Sequence, residues 1–520
     1  MVSNTSWRTF ALFIATIAPL ATADICSTLA QGGISIEYPL TLEYTTVLSD
    51  YWSTACGDLT PTCIAAPSSA AEMSQIITKL HDVETLFAVK SGGHMPNNGF
   101  ASIEGGLLIS TKNLDQVNYN ENDQTAVIGP GLSWEEAQKG LDGTGRAVVG
   151  GRLGGVGIGG YMLGGGMSFL STQYGWAANN VKNYQVVLAN GTIVDANEDE
   201  NSNLFASLKG GGNNLGVVTA YTMETHPIGQ VWGGNWIFTE DKTPQVLTAL
   251  RNFVDDYPDD KAAIILTAEH GVVGLVDFWI MFLFYDGPEP PAGVFDEFDA
   301  IDHVSTTKTW DSYYDLLVNN DQFILHGQRY TIATESTPVP NSTVGLDVMQ
   351  GYFDHWYNVT ESVLGVTGVI GSIAFQPVPT AFTKKAKERG GVRFPDLNFN
   401  MNMKIAEANG QKDLLDIPDD QNYIFFEFDF SHSLAIDDET IDAATQNVYQ
   451  GMGNLVQQNI DEGLLPDVYR PLFMNDAYYR QDYWARISPA SKALALKTRL
   501  NVDPDGFFQT RTSGGWRLSE

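Results

Sequence analysis

The sequence predicts an α+β fold of two domains, on three observations. First, 520 residues and 56.8 kDa exceed what one core usually organises. Second, short apolar runs alternate with helical patches from Leu59 to about Pro227. Third, the text beyond Pro227 changes to long aromatic strands, such as 275–285 (LVDFWIMFLFY) and 423–430 (YIFFEFDF). Acidic amphipathic helices near 345–363 and 437–459 separate them, a pattern that suits an antiparallel sheet covered by helices on one face. The tail from Pro471 returns to short mixed elements, ends with a helix near 488–500, and is read as completing the first domain. The expected division is 1–23 a leader, 24–228 a first domain, 229–464 a second domain and 465–520 a closing segment. No repeat of 20–50 residues is visible.

The leader is read from Arg8, the apolar run Phe10–Leu20 and the small residues Ala21-Thr22-Ala23. This is the pattern of a secretory signal cleaved after Ala23, and the run is too short to span about 30 Å of hydrocarbon. Three sequons agree with export, at Asn190, Asn341 and Asn358. In an oxidising compartment the three cysteines should pair or stay buried; Cys26–Cys63 is preferred, with Cys56 left free, and Cys56–Cys63 is the alternative.

Within the first domain, residues 71–81 read as a helix with Ile76, Ile77 and Leu80 on one face. Residues 85–89 read as a buried strand running into Lys90-Ser91-Gly92-Gly93-His94. Further strands are expected at 107–110, 125–128, 184–188 and 217–223, with a helix at 133–141.

Composition excludes several classes. The chain has 29 basic and 62 acidic residues, a net charge of −33, and so repels nucleic acid and anionic membrane surfaces. Hydrophobic content of 43% describes a packed globular chain. The eight histidines form no HxxH or HExxH spacing, so no metal site is expected. Gly166-Met-Ser168 lacks the second glycine of a hydrolase nucleophile elbow.

Ten of the seventeen residues from Gly150 to Gly166 are glycine. Each glycine inside a regular element costs ~0.5–1 kcal/mol relative to alanine, so no helix or ordinary strand is expected there. Such a stretch belongs where main chain approaches a ligand closely and offers it N–H groups, and a diphosphate is the usual ligand. Gly155, Gly157 and Gly160 match GxGxxG, but a clean preceding strand, a following helix and a later acidic ribose ligand are missing, so the dinucleotide fold is rejected. No GxxxxGK[ST] is present either. Two more glycine clusters, Ser91–His94 and Lys209-Gly210-Gly211-Gly212-Asn213-Asn214-Leu215-Gly216, point to one large ligand touched at several places.

These residues resemble the vanillyl-alcohol-oxidase superfamily of flavoproteins with a PCMH-type FAD-binding domain, and within it the fungal berberine-bridge-enzyme-like FAD-linked oxidases. The matching pieces are KSGGH at 90–94, GVGIGGYMLGGGMSFLSTQYGWAANNV at 155–181 and the stretch from Asn183. LFASLKGGGNNLGVVTAYTMETHP at 204–227, PLFMNDAYY at 471–479 and VDPDGFFQ at 502–509 complete the set. The resemblance covers 24–227 and 465–520, and is at the level of fold between them. It implies FAD held by Lys90, Ser91, Gly92, Gly93, His94, Gly155, Gly157, Gly159, Gly160, Gly164, Gly165, Ser168, Tyr174, Gly175, Gly211, Asn213, Gly216, Val217, Val218 and Asn475. It also implies a covalent bond from His94 to the flavin 8α-methyl. Many relatives add a cysteine link just before the GVGxGG run; Gly151-Arg152-Leu153-Gly154 contains none, so His94 is the single tether expected.

The implied activity is that of a secreted, monomeric oxidase. It would pass hydride from an alcohol, amine or secondary-metabolite intermediate to flavin N5, with dioxygen as acceptor and hydrogen peroxide as product. An extracellular oligosaccharide oxidase and a flavin-binding protein without catalysis remain alternatives. Strict alternation in YIFFEFDFS places Tyr423, Phe425, Glu427, Asp429 and Ser431 on one sheet face and Ile424, Phe426, Phe428 and Phe430 on the other. Glu427 and Asp429 are the candidate bases, although a solvated sheet face fits the same pattern. Tyr479, with Tyr478 and Asn475, lies where the family returns its chain to the flavin ring.

Overall fold

A computed structural model describes residues 24–271, 276–390 and 413–518. The expected leader lies outside them. Three sheets organise the chain. The first has the strand order Ile36–Glu37, Cys63–Ala65, Leu107–Ser110, Phe87–Lys90, with its last three strands parallel. The second has the order Val117–Asn120, Thr125–Ile128, Val217–Pro227, Val181–Val187, Ile193–Ala196, with Arg146–Val148 paired beside Val217–Pro227. The third has eight antiparallel strands. Its main path is Val304–Ser305, Val231–Thr239, Val276–Tyr285, Ala262–Gly271, Ile370–Val378, Tyr423–His432, Arg329–Pro338.

The expected α+β architecture, with an antiparallel sheet covered by helices, is the one observed. Thr243–Asp255, Gly345–Glu361 and Asp438–Asp461 cover one face of the large sheet. Their Leu250, Trp356 and Val448 form one core with Leu266, Met281, Phe375, Phe426, Phe428 and Phe430. Successive residues of a strand point to opposite faces. The intervening Ile265, Ile280, Phe282 and Ala374 therefore face the other way, and pack with Ile158, Met162 and Phe169 of the glycine-rich region.

In the first sheet, Ile76, Ile77 and Leu80 of the helix Ala70–Leu80 are fully buried against Leu107, Ile109 and Phe87. Phe507 and Phe508 of the closing segment complete that core, and Thr512 bridges to Phe87. The preferred pairing is present: Cys26 and Cys63 form a disulfide, and Cys56 is buried and free. Burial pushes the Cys56 thiol up to about 12, so it stays protonated and unreactive at neutral pH.

One expectation fails at the glycines. Ile158–Leu163 is a helix, contrary to the reading that this stretch carries none. Tertiary contacts offset the glycine cost there: the Tyr221 hydroxyl donates to Gly159 O over 2.9 Å, and Gly159 N donates to Ser91 Oγ over 3.0 Å.

Candidate active site

The glycine segments converge because glycine lets main chain touch main chain. A Cβ at Gly92 would lie 2.5 Å from Gly157 Cα and 2.7 Å from its N, so the two loops interlock only without side chains. Ser91 ties them, taking the Gly159 N–H and donating to Pro130 O over 2.5 Å. A Cβ at Gly160, by contrast, would meet nothing within 4 Å, since Gly160 borders a cavity.

That cavity, about 680 Å³, runs without a break from the glycine loops to the inner face of the large sheet. Ser91, Gly92, Gly93, His94, Gly157, Gly159, Gly160, Gly164, Asn213, Gly216, Val217, Val218 and Asn475 all line it. The closing segment supplies Asn475, whose side chain donates to Tyr161 O over 3.0 Å and accepts from Gly166 N over 3.3 Å. Asn213 and Asn214 hold the carbonyls of Gly514 and Trp516 over 2.8 and 3.0 Å, which places Trp516 in the cavity wall.

The remaining expected cofactor residues do not line the cavity and make other contacts. Lys90 is buried and its Nζ reaches Asp50 over 3.0 Å. Gly155 N donates to Asp321 over 3.0 Å, Ser168 Oγ accepts from Gly150 N over 3.3 Å, and Gly211 O accepts from Asn214 over 2.8 Å. Gly165 O accepts from Ala178 N over 3.0 Å, Tyr174 stacks on His226 at 3.7 Å, and Gly175 lies against the Ala386 backbone.

His94 reaches the cavity with its ring stacked on Trp52. Burial, aided by His326, pulls its imidazole down to about 4, so the ring is neutral at physiological pH. A neutral imidazole is the nucleophilic form.

At the opposite wall the strand Tyr423–His432 turns Glu427, Asp429 and Ser431 into the cavity, while its phenylalanines 426, 428 and 430 join the helix-covered core. The solvated-face alternative is therefore overturned for these residues. Cross-strand register sets the rest: Ser372 lies opposite Asp429, Glu269 opposite Ser372, and Ala374 opposite Glu427. Asp429 Oδ1 is buried with no hydrogen-bond partner among the described residues. An orphaned carboxylate oxygen is costly, and it marks a place where a ligand donor belongs. Burial, reinforced by Glu427 and Asp476, holds the Asp429 carboxyl well above the usual range. Burial also raises Glu427, opposed by the Arg152 guanidinium. Burial pushes Glu269 up to about 7, although a hydrogen bond from Ser372 opposes this.

Tyr479 does not reach this cavity. Its ring is 43% exposed, the Arg480 guanidinium lies 4.8 Å from its centroid, and its hydroxyl points to Asp442 over 3.4 Å. Tyr478 bonds the same carboxylate over 2.5 Å. The acidic helix Asp438–Asp461 thus captures both phenols, and the cavity receives their neighbour instead. Asp476 lines it, takes a 2.8 Å hydrogen bond from Gln376 Nε2, and is held well above the usual range by burial. Arg152 donates in turn to Gln376 Oε1. Sequence reasoning missed Asp476, Gln376, Arg152 and Glu269. Asp476 stood beside the chosen Asn475, where preference for tyrosine hid it; Glu269 and Gln376 become visible only through strand register, and Arg152, in the glycine loop, only through its hydrogen bond to Gln376.

Among the described residues no helix is long and apolar enough to cross a membrane, and no cluster of His, Cys, Asp or Glu could hold a metal.

The glycine cradle, the continuous cavity and the unpaired carboxylate fit a flavin dinucleotide with substrate beyond it, and known proteins agree. Residues 61–197 match the family model described as an FAD binding domain. An uncharacterised FAD-linked oxidoreductase of Arthroderma benhamiae is 43% identical over 496 residues, covering 95% of this chain and 94% of that one. The bifunctional solanapyrone synthase of Alternaria solani is 36% identical over 286 residues, 55% of each chain. Berberine bridge enzyme from Eschscholzia californica superposes with a TM-score of 0.72 at 16% identity, covering 96% of this chain and all of that one. Carbohydrate oxidase from Microdochium nivale superposes with 0.71 at 20% identity, covering 95% and all of that chain. Fold, cavity and sequence together make this chain a member of the FAD-linked oxidoreductases, an enzyme whose cofactor is FAD, with the fold of berberine bridge enzyme.

Proposed function

We propose that the protein is a secreted oxidase that removes hydride from an alcohol or amine carbon of an apolar secondary metabolite, with Glu427 and Asp429 as its proton-accepting pair. When bound, FAD supplies the two-electron acceptor, which dioxygen re-oxidises with release of hydrogen peroxide. Residues 24–228 with 465–520 would hold it, and 229–464 would hold the substrate.

The observation that carries this reading is Asp429, a carboxyl whose buried Oδ1 has no hydrogen-bond partner among the described residues, at the far wall of the glycine-lined cavity. Two carboxyls two residues apart on one strand share the cavity and repel as anions, which favours a singly protonated pair. Asp429 keeps that proton. Glu427, favoured as the anion by Arg152, takes the proton released from the substrate hydroxyl or amine. The substrate then loses hydride from carbon and proton from oxygen or nitrogen, and leaves as carbonyl or imine.

His94 would tether the flavin: its ring is neutral and lines the cavity. Secretion is supported by the Ala21-Thr22-Ala23 cleavage pattern, the disulfide and three exposed sequon asparagines. An oligosaccharide substrate is disfavoured by walls built from Ile265, Phe278, Ile280 and Phe282. The test is anaerobic flavin reduction with a panel of aryl alcohols, amines and sugars, followed by peroxide assay in air. Reduction by apolar alcohols or amines supports the reading; reduction by sugars alone refutes it.

A further inference from the structure

Glu269 plays no part in that proton transfer, yet the sheet aims it into the same cavity. Its strand, Ala262–Gly271, is separated from the strand of Asp429 by Ile370–Val378, and Ser372 lies between the two carboxyls in register. Two interstrand spacings put them about 10 Å apart. Ser372 Oγ donates to Glu269 Oε2 over 2.6 Å, leaving Oε1 without a partner among the described residues. The surface around this row is apolar, from Phe278, Ile280, Ile332 and Ile370. Among the described residues four carboxyls, Glu269, Glu427, Asp429 and Asp476, line the cavity against one guanidinium, that of Arg152.

We infer that Glu269, held by Ser372, is a distal anchor that selects an apolar substrate carrying, away from the carbon that is oxidised, a second hydrogen-bond donor, a hydroxyl or an ammonium, about 10 Å from the group that meets Asp429. The inference rests on the proposed oxidation site at Glu427 and Asp429. A carboxylate oxygen facing an apolar cavity is satisfied by such a donor and repelled by an anion, so the same residue that recognises the substrate rejects its carboxylated analogues. One end of the ligand reaches the reacting pair, the middle crosses the strand Ile370–Val378 between Ala374 and Ile370, and the far end meets Glu269.

The test uses biphenylmethanol and its para-prime hydroxymethyl, aminomethyl and carboxylate derivatives, with binding to the holoenzyme read from the perturbation of the oxidised flavin spectrum. Hydroxymethyl and aminomethyl compounds should bind about tenfold or more tighter than plain biphenylmethanol, and the carboxylate should bind weakest. The comparison of the first two tells a hydroxyl from an ammonium preference. In Glu269→Gln and Glu269→Leu the ratio of donor-bearing to plain affinity should collapse by a similar factor, in protein whose flavin content and melting temperature show it folded. Equal affinities in the unaltered enzyme, a ratio unmoved by both variants, or a spectrum unmoved by all four compounds overturns the anchor. The oxidase reading is judged apart, by flavin reduction and by the effect of Glu427→Gln, and survives any of those results.

Discussion

The Trp52 indole lies flat against the His94 imidazole, with ring centroids 4.4 Å apart and planes 17° from parallel. Tyr330 stacks on the other side of Trp52 at 4.0 Å, and its hydroxyl is fixed to Leu325 O over 2.6 Å. The three-ring stack ties the glycine loop to the large sheet and fixes the orientation of His94 in the cavity wall.

His94→Ala should therefore yield protein whose flavin is released by acid or denaturant, where the unaltered chain keeps it in the precipitate. Trp52→Leu should lower the attached fraction without abolishing it, because the nucleophile remains but its ring turns freely. Fluorescence of acid-precipitated protein measures both. Because His94 titrates near 4, attachment should be indifferent to pH between about 6 and 8.

Glu427→Gln should slow flavin reduction by about 10²- to 10⁴-fold, and Asp429→Asn should slow it less, since the amide keeps a donor beside Glu427. Anaerobic stopped-flow reduction measures each. Equal rates in the double variant and the unaltered enzyme would place proton transfer elsewhere.

Arg152 opposes the upward shifts of Glu427 and Asp476. Arg152→Met should move the acid limb of the rate–pH profile of flavin reduction to higher pH, because the acceptor carboxylate then holds its proton longer. An unmoved limb would show that Arg152 acts only through its hydrogen bond to Gln376.

Stability should fall as pH rises through the range of the buried carboxyls. Glu269 titrates near 7 in the folded chain, above its ordinary value of 4.5, so its contribution is complete below about 4.5 and is lost as pH climbs past 7. Melting temperatures of the unaltered protein minus those of Glu269→Gln should therefore decline from pH 5 to pH 8. A difference that grows over that interval has the opposite sign and would contradict burial as the cause.

Gly157→Ala and Gly160→Leu separate packing from ligand binding. A Cβ at Gly157 would press within 2.5 Å of Gly92 Cα, so the first variant should lose melting temperature with or without flavin. A side chain at Gly160 enters open cavity, so the second should fold normally and bind FAD poorly. Thermal melts and flavin titration of refolded protein distinguish them.

The sequence already showed the glycine loops, the helix-covered antiparallel sheet and the inward face of Tyr423–His432, because each rests on a local signal: glycine density, alternation or helical period. Glu269 and Gln376 were not legible in that way. Each is an ordinary residue in its own strand, and only the pairing of three strands puts Glu269 level with Asp429 across Ser372 and Gln376 opposite Phe425. Tyr479 failed for the converse reason: its segment returns to the cavity, but Asp442 and Arg480 hold its ring outside while Asp476 enters. The helix Ile158–Leu163 escaped notice because contacts with Ser91 and Tyr221 outweigh the propensity of its glycines.

The visible spectrum of the purified protein, taken before and after acid precipitation, bears most directly on whether these loops cradle a flavin held by His94. Yellow protein whose colour stays with the precipitate is the expected result. Colourless protein that takes up no FAD on reconstitution would contradict it.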